Sequence, residues 1–153
     1  MIQQEINLII DFQLITSVIP GERYSEMNDR KINILVIDDD TVDRMSMVRA
    51  IRQSGFDCEV TTATSCEEGV KAIRSKLYDC VFLDYMLPDV NGNVVCQTIR
   101  KNPAFEHTKI VIVSGVVNQD EINDLLKAGA DEFVKKPFNI EKLIERIGEL
   151  LGV

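Results

Sequence analysis

Short apolar runs alternate with segments of helical periodicity from about residue 31 to the end of the chain. Ile32–Ile37 is β-branched and of strand length, and further strand-like runs occupy 58–62, 80–83, 110–113 and 132–135. After each of them comes a segment in which apolar residues recur every three or four positions, the spacing of one helix face. The pattern predicts five strands that alternate with five helices.

Two of the predicted helices have a readable apolar face. In the first, over 41–54, the residues at helical spacing are Val42, Met45, Val48 and Ile51. Asp40 is its predicted N-cap, and Gly55 is a predicted stop. The last helix has the clearest face, formed by Ile140, Leu143, Ile144, Ile147, Leu150 and Leu151.

Polar residues with the spacing of capping motifs precede two of the other helices. Ser65 and Glu68 have the form of a capping box ahead of a helix that continues over 69–77. Asn118 and Glu121 have the same spacing before the fourth helix. These residues set the expected starts of the second and fourth helices.

The central strand-like runs are apolar at successive positions, which is typical of strands that are buried on both faces of a parallel sheet. Strands that alternate with helices, joined by right-handed crossovers, indicate an α/β fold with helices on both sides of the sheet. We therefore predict a five-stranded parallel sheet within one domain over 31–153. Residues 1–30 are predicted to be an N-terminal extension of unknown structure.

Composition and charge exclude several classes of function. The chain has 153 residues, of which 45% are apolar and 27% charged, as expected of a globular domain. The net charge is −8, and no run of Lys and Arg offers the basic face that nucleic-acid phosphates require. Direct nucleic-acid binding is therefore not expected.

The location of the protein is predicted from its cysteines and its apolar N-terminal stretch. Cys58, Cys66, Cys80 and Cys96 form no Cys-x-x-Cys pair and are predicted to be free thiols, as in a reducing cytoplasm. The apolar stretch 6–19 is too short to span a bilayer and includes an aspartate, Asp11. We expect a cytoplasmic protein without membrane insertion.

Chemically active residues stand where the predicted strands end. Asp38, Asp39 and Asp40 follow the first strand, and Asp84 follows the third. Ligands of open parallel sheets bind at this edge, and clustered carboxylates repel unless a cation neutralises them. Oxygen ligands favour a hard ion such as Mg²⁺.

The fourth and fifth strands add two further groups at the same edge. Ser114 supplies a hydroxyl and Lys136 an ammonium, both able to hold phosphoryl oxygens. Carboxylates, a hydroxyl and an ammonium at one edge are equipment for phosphoryl transfer, in which positioning and charge neutralisation carry most of the catalysis.

Four segments of the sequence resemble the successive signatures of response-regulator receiver domains. They are ILVIDDD at 34–40, VFLDYMLPDVNG at 81–92, IVSG at 112–115 and FVKKPF at 133–138. The resemblance extends from about residue 31 to the C-terminus and implies the flavodoxin-like strand order 2-1-3-4-5.

The resemblance also implies roles for the site residues. Asp84 would be the nucleophile that takes a phosphoryl group from a phosphohistidine, and Lys136 would pair with the phosphorylated side chain. Asp39, Asp84 and the backbone carbonyl of Met86 would ligate Mg²⁺, with Asp38 acting mainly through a bound water. The peptide bond Lys136–Pro137 would be cis.

A conformational switch is implied as well. Ser114 would move to hydrogen-bond the phosphoryl group while the aromatic ring of Phe133 turns inward. Ser114 stands where the family commonly has Thr, and Phe133 where it commonly has Tyr, so the phenol hydroxyl is absent. The side chains of Met86 and Val116 would tune hydrolysis.

The implied partners are a sensor histidine kinase or phosphotransfer protein and a separate effector protein. The effector would bind the fourth helix, fifth strand and fifth helix, roughly 118–147, where phosphorylation shifts a two-state equilibrium. As a signalling switch the chain is not expected to be an enzyme, beyond its own phosphorylation and slow dephosphorylation. Residues 1–30 would pack on the domain or mediate a homodimer, unless the protein starts at Met27.

Two alternatives remain open at this point. Asp38, Asp40 and Val42 also read as the Asp-x-Asp-x-Val motif of haloacid-dehalogenase-like phosphatases, with Asp38 as nucleophile. That reading lacks a further acidic pair after Lys136 and leaves Asp84 without a task. The other alternative is a receiver-like docking module that is not phosphorylated, although none of its acidic or Lys positions is lost.

Overall fold

The computed structural model describes residues 31–115 and 118–152. These form one five-stranded parallel sheet in the order β2-β1-β3-β4-β5, as predicted. The strands are β1 (Ile32–Ile37), β2 (Cys58–Ala63), β3 (Cys80–Asp84), β4 (Lys109–Ser114) and β5 (Glu132–Lys135). The apolar runs located every strand to within one residue at each end.

Five α-helices connect and follow the strands, in agreement with the predicted alternation. They are α1 (Thr41–Gln53), α2 (Cys66–Ser75), α3 (Gly92–Lys101), α4 (Gln119–Lys127) and α5 (Ile140–Leu151). A short 3₁₀ helix, Pro103–Phe105, follows α3. The second helix starts directly after Ser65 and ends at Ser75, two residues earlier than expected.

Two apolar cores lie on opposite faces of the sheet because successive strand residues point to opposite sides. Ile34, Val36 and Phe82 pack with α1 and α5 on one face. Leu35 and Leu83 pack with α2, α3 and α4 on the other. The sheet is thus covered on both sides, as its continuous apolar strands predicted.

The buried face of α1 differs from the one that its apolar spacing suggested. Val42 and Met45 are 72% and 59% exposed, whereas Met47, Ala50 and Ile51 are buried. Two overlapping stripes in this helix both have helical spacing. The stripe that contains Ala50, whose small side chain permits close approach to the sheet, is the one that packs.

One of the two predicted capping boxes is complete, and the other differs in its second half. At α4, the Asn118 side chain accepts the Glu121 N–H while the Glu121 carboxylate accepts the Asn118 N–H. At α2, the Ser65 hydroxyl accepts the Glu68 N–H at 3.1 Å. The Glu68 carboxylate, however, accepts from the backbone N–H and hydroxyl of Thr64, because the hydroxyl offers it a second hydrogen bond.

The four cysteines are free thiols, as predicted, and Cys66, Cys80 and Cys96 are buried. Burial raises the pKa of Cys66 to about 12 and that of Cys96 to about 11, so these thiols stay protonated. In the described part of the chain, no helix has both the length and the apolar character needed to cross a membrane.

Candidate functional site

The candidate site lies where the chain crosses from one side of the sheet to the other. β1 lies between β2 and β3 in the sheet. The chain leaves β1 toward α1 on one face of the sheet and leaves β3 toward α3 on the other face. Asp38 follows the last residue of β1, and Asp84 is the last residue of β3. Both side chains are buried, with 6% and 8% of the residue exposed.

Three carboxylates meet at this point. One oxygen from each of Asp38, Asp39 and Asp84 lies within 4.8 Å of the other two. Asp39 is exposed, so the cluster opens to solvent on its side. The arrangement brings together Asp38 and Asp84, which are 46 positions apart and lie at the carboxyl ends of two neighbouring strands.

Backbone hydrogen bonds orient the two buried carboxylates. Asp38 Oδ1 accepts the Asp40 N–H at 2.9 Å, and Asp84 Oδ1 accepts the Met86 N–H at 3.1 Å. Arg44 donates to the backbone carbonyl of Asp38 at 2.9 Å. Each carboxylate therefore has one oxygen held by the turn that follows its own strand, while the second oxygen is directed elsewhere.

The free oxygens of Asp38 and Asp84 both face Lys136. Its Nζ lies 2.8 Å from Asp38 Oδ2 and 3.4 Å from Asp84 Oδ2. A third carboxylate, that of Asp43, lies 2.9 Å from the same nitrogen. The ammonium is therefore surrounded by three carboxylates and lies closest to Asp38 and Asp43.

Asp43 was not among the residues predicted for this site. It lies in the first turn of α1, where acidic residues are common for helix stability alone. Asp40 is the N-cap of this helix, as predicted, and its carboxylate accepts the Asp43 N–H at 2.8 Å. The signal that points to Asp43 is its position four residues before the buried Met47, on the same side of the helix.

The protonation of the site follows from burial and charge. Burial raises the pKa of Asp84 to about 6, and the negative charge of Asp38 adds to the increase, although the Met86 N–H and Lys136 oppose it. Burial alone would lower the pKa of Lys136. The hydrogen bonds to Asp38 and Asp43 and the charge of Asp84 outweigh this and raise it, so Lys136 stays charged.

The loop after β3 carries Met86 beside the carboxylates. Met86 forms an isolated bridge with Asn91, and the Gly92 N–H donates to the Tyr85 carbonyl at 2.9 Å. A Cβ at Gly92 would lie 2.9 Å from the backbone oxygen of Asp84, so a side chain has no room there. The Met86 side chain is 65% exposed at the mouth of the site.

Ser114 and Lys136 both lie at the carboxyl ends of strands, as predicted, but their side chains occupy different environments. Ser114 is buried at the end of β4, and its carbonyl accepts the Lys136 N–H at 2.9 Å. Asp38, Asp43, Asp84 and Lys136 line a small cavity of about 10 Å³, and Ser114 is not among its lining residues. Lys136, by contrast, lies in direct contact with the carboxylates.

Phe133 lies on the face of the sheet that α2, α3 and α4 cover. Its strand pairs it with Ile112, and its ring is partly buried against that core. The peptide bond Lys136–Pro137 is cis, which confirms the prediction made for it. Val116, singled out above for its side chain, lies outside the described residues.

The donor set fits a divalent hard cation. The three clustered carboxylates supply only oxygen, which Mg²⁺ prefers. Four carboxylates lie around the site, those of Asp38, Asp39, Asp43 and Asp84, and the ammonium of Lys136 is the cation that contacts three of them. A cation would relieve their repulsion and favour the ionised form of the buried Asp84.

Comparisons with known proteins agree with this geometry. A family model, the response regulator receiver domain, matches residues 34–148. The probable chemotaxis protein CheY of Rhizobium etli is 28% identical over 122 residues, which cover 80% of this chain and 94% of that protein. The probable transcriptional regulatory protein TcrX of Mycobacterium tuberculosis is 35% identical over 121 residues, 78% of this chain and 50% of that protein.

A solved structure resembles the chain over the same region. The putative response regulator from Chloroflexus aurantiacus superimposes with a TM-score of 0.75 at 26% identity and covers 81% of this chain and all of that one. The chain spans nearly the full length of the chemotaxis relative but about half the length of several other relatives, which are named as response regulators or probable transcriptional regulators. Fold, site and sequence match together show that this chain belongs to the response-regulator receiver domains of two-component systems.

Proposed function

We propose that this chain is a phosphorylation-activated switch in which Asp84 accepts a phosphoryl group from a sensor histidine kinase or phosphotransfer protein. The observation that carries the proposal is the pairing of two buried carboxylates, Asp38 and Asp84, around the ammonium of Lys136 at the carboxyl ends of adjacent strands. In this proposal residues 31–153 are the receiver domain and residues 1–30 an added extension.

The nucleophile in this proposal is Asp84 Oδ2. Its partner oxygen is held by the Met86 N–H, which fixes the carboxylate plane. Oδ2 attacks the phosphorus of the phosphohistidine, the P–N bond breaks, and the imidazole nitrogen keeps the electron pair and takes a proton. The product is an acyl phosphate on Asp84 and a neutral histidine on the donor. A buried, oriented carboxylate needs little reorganisation to reach this geometry.

In this proposal Asp39, Asp84 and the backbone carbonyl of Met86 would hold Mg²⁺, and Asp38 would act mainly through a bound water. When bound, the metal ion supplies neutralisation of the charge that develops on the phosphoryl oxygens. Asp38 also orients Lys136 through its 2.8 Å contact.

Lys136 and Ser114 stabilise the phosphorylated state in this proposal. The ammonium has three N–H donors and lies 3.4 Å from Asp84, so a short movement pairs it with a phosphoryl oxygen. The Ser114 hydroxyl supplies a second hydrogen bond once the end of β4 moves toward the site. Phe133, whose ring is partly buried beside Ile112, turns inward in the space that this movement leaves.

The signal leaves the domain through the surface formed by α4, β5 and α5, where a separate effector protein binds. Two exposed large apolar side chains support this surface: Leu126 on α4 and Ile140 at the start of α5 are each 42% exposed. Hydrogen exchange over 118–147, with and without the phosphoryl group, measures the effect. We expect exchange to change there more than in α2.

Intact-mass spectrometry after incubation with acetyl phosphate tests the proposed function. We expect one phosphoryl adduct on the wild-type chain, dependent on Mg²⁺ and absent from Asp84→Asn. No adduct on the wild type would favour a docking module. An adduct that survives Asp84→Asn but is lost in Asp38→Asn would favour the phosphatase-like chemistry.

A further inference from the structure

The ammonium of Lys136 is shared unequally among its carboxylate neighbours. Its distances to Asp38 and Asp43 are 2.8 and 2.9 Å, whereas that to Asp84 is 3.4 Å. An ammonium has three N–H donors, and here three carboxylates are available as their acceptors. The long contact is the one to the proposed phosphorylation site, so Lys136 is drawn toward the side of α1.

The backbone of α1 keeps Asp43 in this position. Asp40 caps the helix and accepts the Asp43 N–H, which fixes the first turn. One turn further on, Met47 is buried against the sheet and fixes the rotation of the helix about its axis. The Asp43 side chain is 42% exposed but is directed at the ammonium of a side chain that is only 15% exposed.

This geometry makes Asp43 a competitor for Lys136. A phosphoryl group on Asp84 adds negative charge that Lys136 neutralises only by moving closer to Asp84. Each step in that direction lengthens the contact with Asp43 and leaves the Asp43 carboxylate without its cation. The Asp43 charge also lies close to the incoming anion and repels it.

We propose that Asp43 is a positioning residue that holds Lys136 toward α1 and so weakens the stabilisation of a phosphoryl group on Asp84. The inference rests on the proposed function, and it assigns to Asp43 the control of how strongly the phosphorylated state is held. Asp43 does not contact the reacting atoms and acts through Lys136.

The test compares wild type with Asp43→Asn, which removes the charge but keeps the size of the side chain, and with Asp43→Glu, which retains the charge. The matched control is Asp57→Asn. It makes the same chemical change at an exposed aspartate that directly precedes β2, at the opposite edge of the sheet from the site.

Two quantities are measured on the full chain with Mg²⁺ present. The first is the affinity for beryllofluoride, a phosphoryl analogue, by fluorine NMR titration. The second is the rate of loss of the acyl phosphate formed from acetyl phosphate, in which Asp84 attacks phosphorus and acetate leaves. We expect Asp43→Asn to bind beryllofluoride about two- to fivefold more tightly, as for loss of a half-exposed ion pair, and to lose the phosphoryl group more slowly.

We expect Asp43→Glu and Asp57→Asn to bind beryllofluoride with an affinity close to that of wild type. The tighter binding by Asp43→Asn should diminish at high salt. Equal or weaker beryllofluoride binding by Asp43→Asn would overturn the inference while leaving the proposed function intact. If the wild-type chain takes up neither beryllofluoride nor a phosphoryl group, the proposed function itself is wrong. Thermal unfolding of each variant identifies any loss of fold, in which case Asp43→Ser replaces Asp43→Asn.

Discussion

Asp89, in the loop after β3, caps the amino end of α2 by accepting the backbone N–H of Cys66 at 3.0 Å. Its second carboxylate oxygen accepts the N–H of Glu67 at 2.9 Å. The contact joins residues 23 positions apart and anchors the loop that carries Met86 to a neighbouring helix. The position of the Met86 carbonyl therefore depends on an interaction outside the carboxylate cluster.

Replacement of Asp89 by Ala is predicted to destabilise the fold and weaken Mg²⁺ binding together. Loss of a carboxylate that accepts N–H groups at a helix N-terminus costs about 1 kcal/mol of unfolding free energy, measured by urea denaturation. Asp89→Asn, which keeps one acceptor oxygen, is expected to lose less of both. Unchanged Mg²⁺ affinity in Asp89→Ala, by calorimetric titration, would show that the loop holds its position without this cap.

Asp84→Asn is predicted to stabilise the metal-free protein at neutral pH. The pKa of Asp84 is raised to about 6 by burial, from the ordinary value of 3.8. The folded state therefore binds a proton more tightly than the unfolded state, and stability falls as pH rises from about 4 through about 6. Above that window the ionised carboxylate costs about 1 to 3 kcal/mol, which the neutral amide avoids.

Urea denaturation in the presence of EDTA, at about pH 4.5 and about pH 7.5, measures this difference. The stabilisation by Asp84→Asn should be clear at the higher pH and small at the lower one. A variant that is less stable than wild type at the higher pH would mean that the pairing with Lys136 outweighs the cost of burial.

Mg²⁺ binding is predicted to weaken in acid. The ligand form of Asp84 is the carboxylate, whose pKa is about 6 without metal, so binding releases a proton at lower pH. Below about pH 6 the apparent affinity should fall up to about tenfold for each pH unit. Calorimetry in buffers of different ionisation enthalpy detects the released proton. An Mg²⁺ affinity that stays constant between about pH 5 and about pH 7 would contradict ligation through a buried Asp84.

Gly92→Ala is predicted to destabilise the fold although Ala favours helices. The new Cβ would lie 2.9 Å from the Asp84 backbone oxygen and 3.0 Å from the Tyr85 Cα, neither of which can turn away as a side chain would. We expect a loss of about 1 to 3 kcal/mol. Gly115→Ala is the control, because its Cβ would have only an ordinary contact at 3.9 Å with Lys136. Equal unfolding free energies for the two variants would show that the loop yields easily.

Much of the site could be predicted because it depends on strand ends. Asp38 and Asp84 follow apolar runs that are easy to locate, and parallel strands end at the same edge. The rotation of α1 was harder to predict, because two apolar stripes with equally good spacing overlap there. With Val42 and Met45 turned inward, Asp43 would point away from the sheet. With Met47 and Ala50 inward, as observed, it points to Lys136.

The carboxylates that Lys136 contacts could likewise not be predicted from the periodicity of the sequence. A lysine side chain is long and unbranched, so its ammonium can reach groups on several elements, and the choice depends on charges around it in space. The sequence places Lys136 at the end of β5 but does not rank Asp38, Asp43 and Asp84 as its neighbours. The distances of 2.8, 2.9 and 3.4 Å give that ranking.

The most direct test of the account identifies which aspartate carries the phosphoryl group. Borohydride reduces an acyl phosphate to an alcohol and so converts the accepting aspartate to homoserine. Trypsin then separates the candidates, since Asp84 lies in the peptide 77–100 and Asp38 and Asp39 lie in 32–44. The account predicts homoserine at position 84 only, after acetyl phosphate and Mg²⁺. Homoserine at position 38 or 39, with Asp84 unmodified, would contradict it.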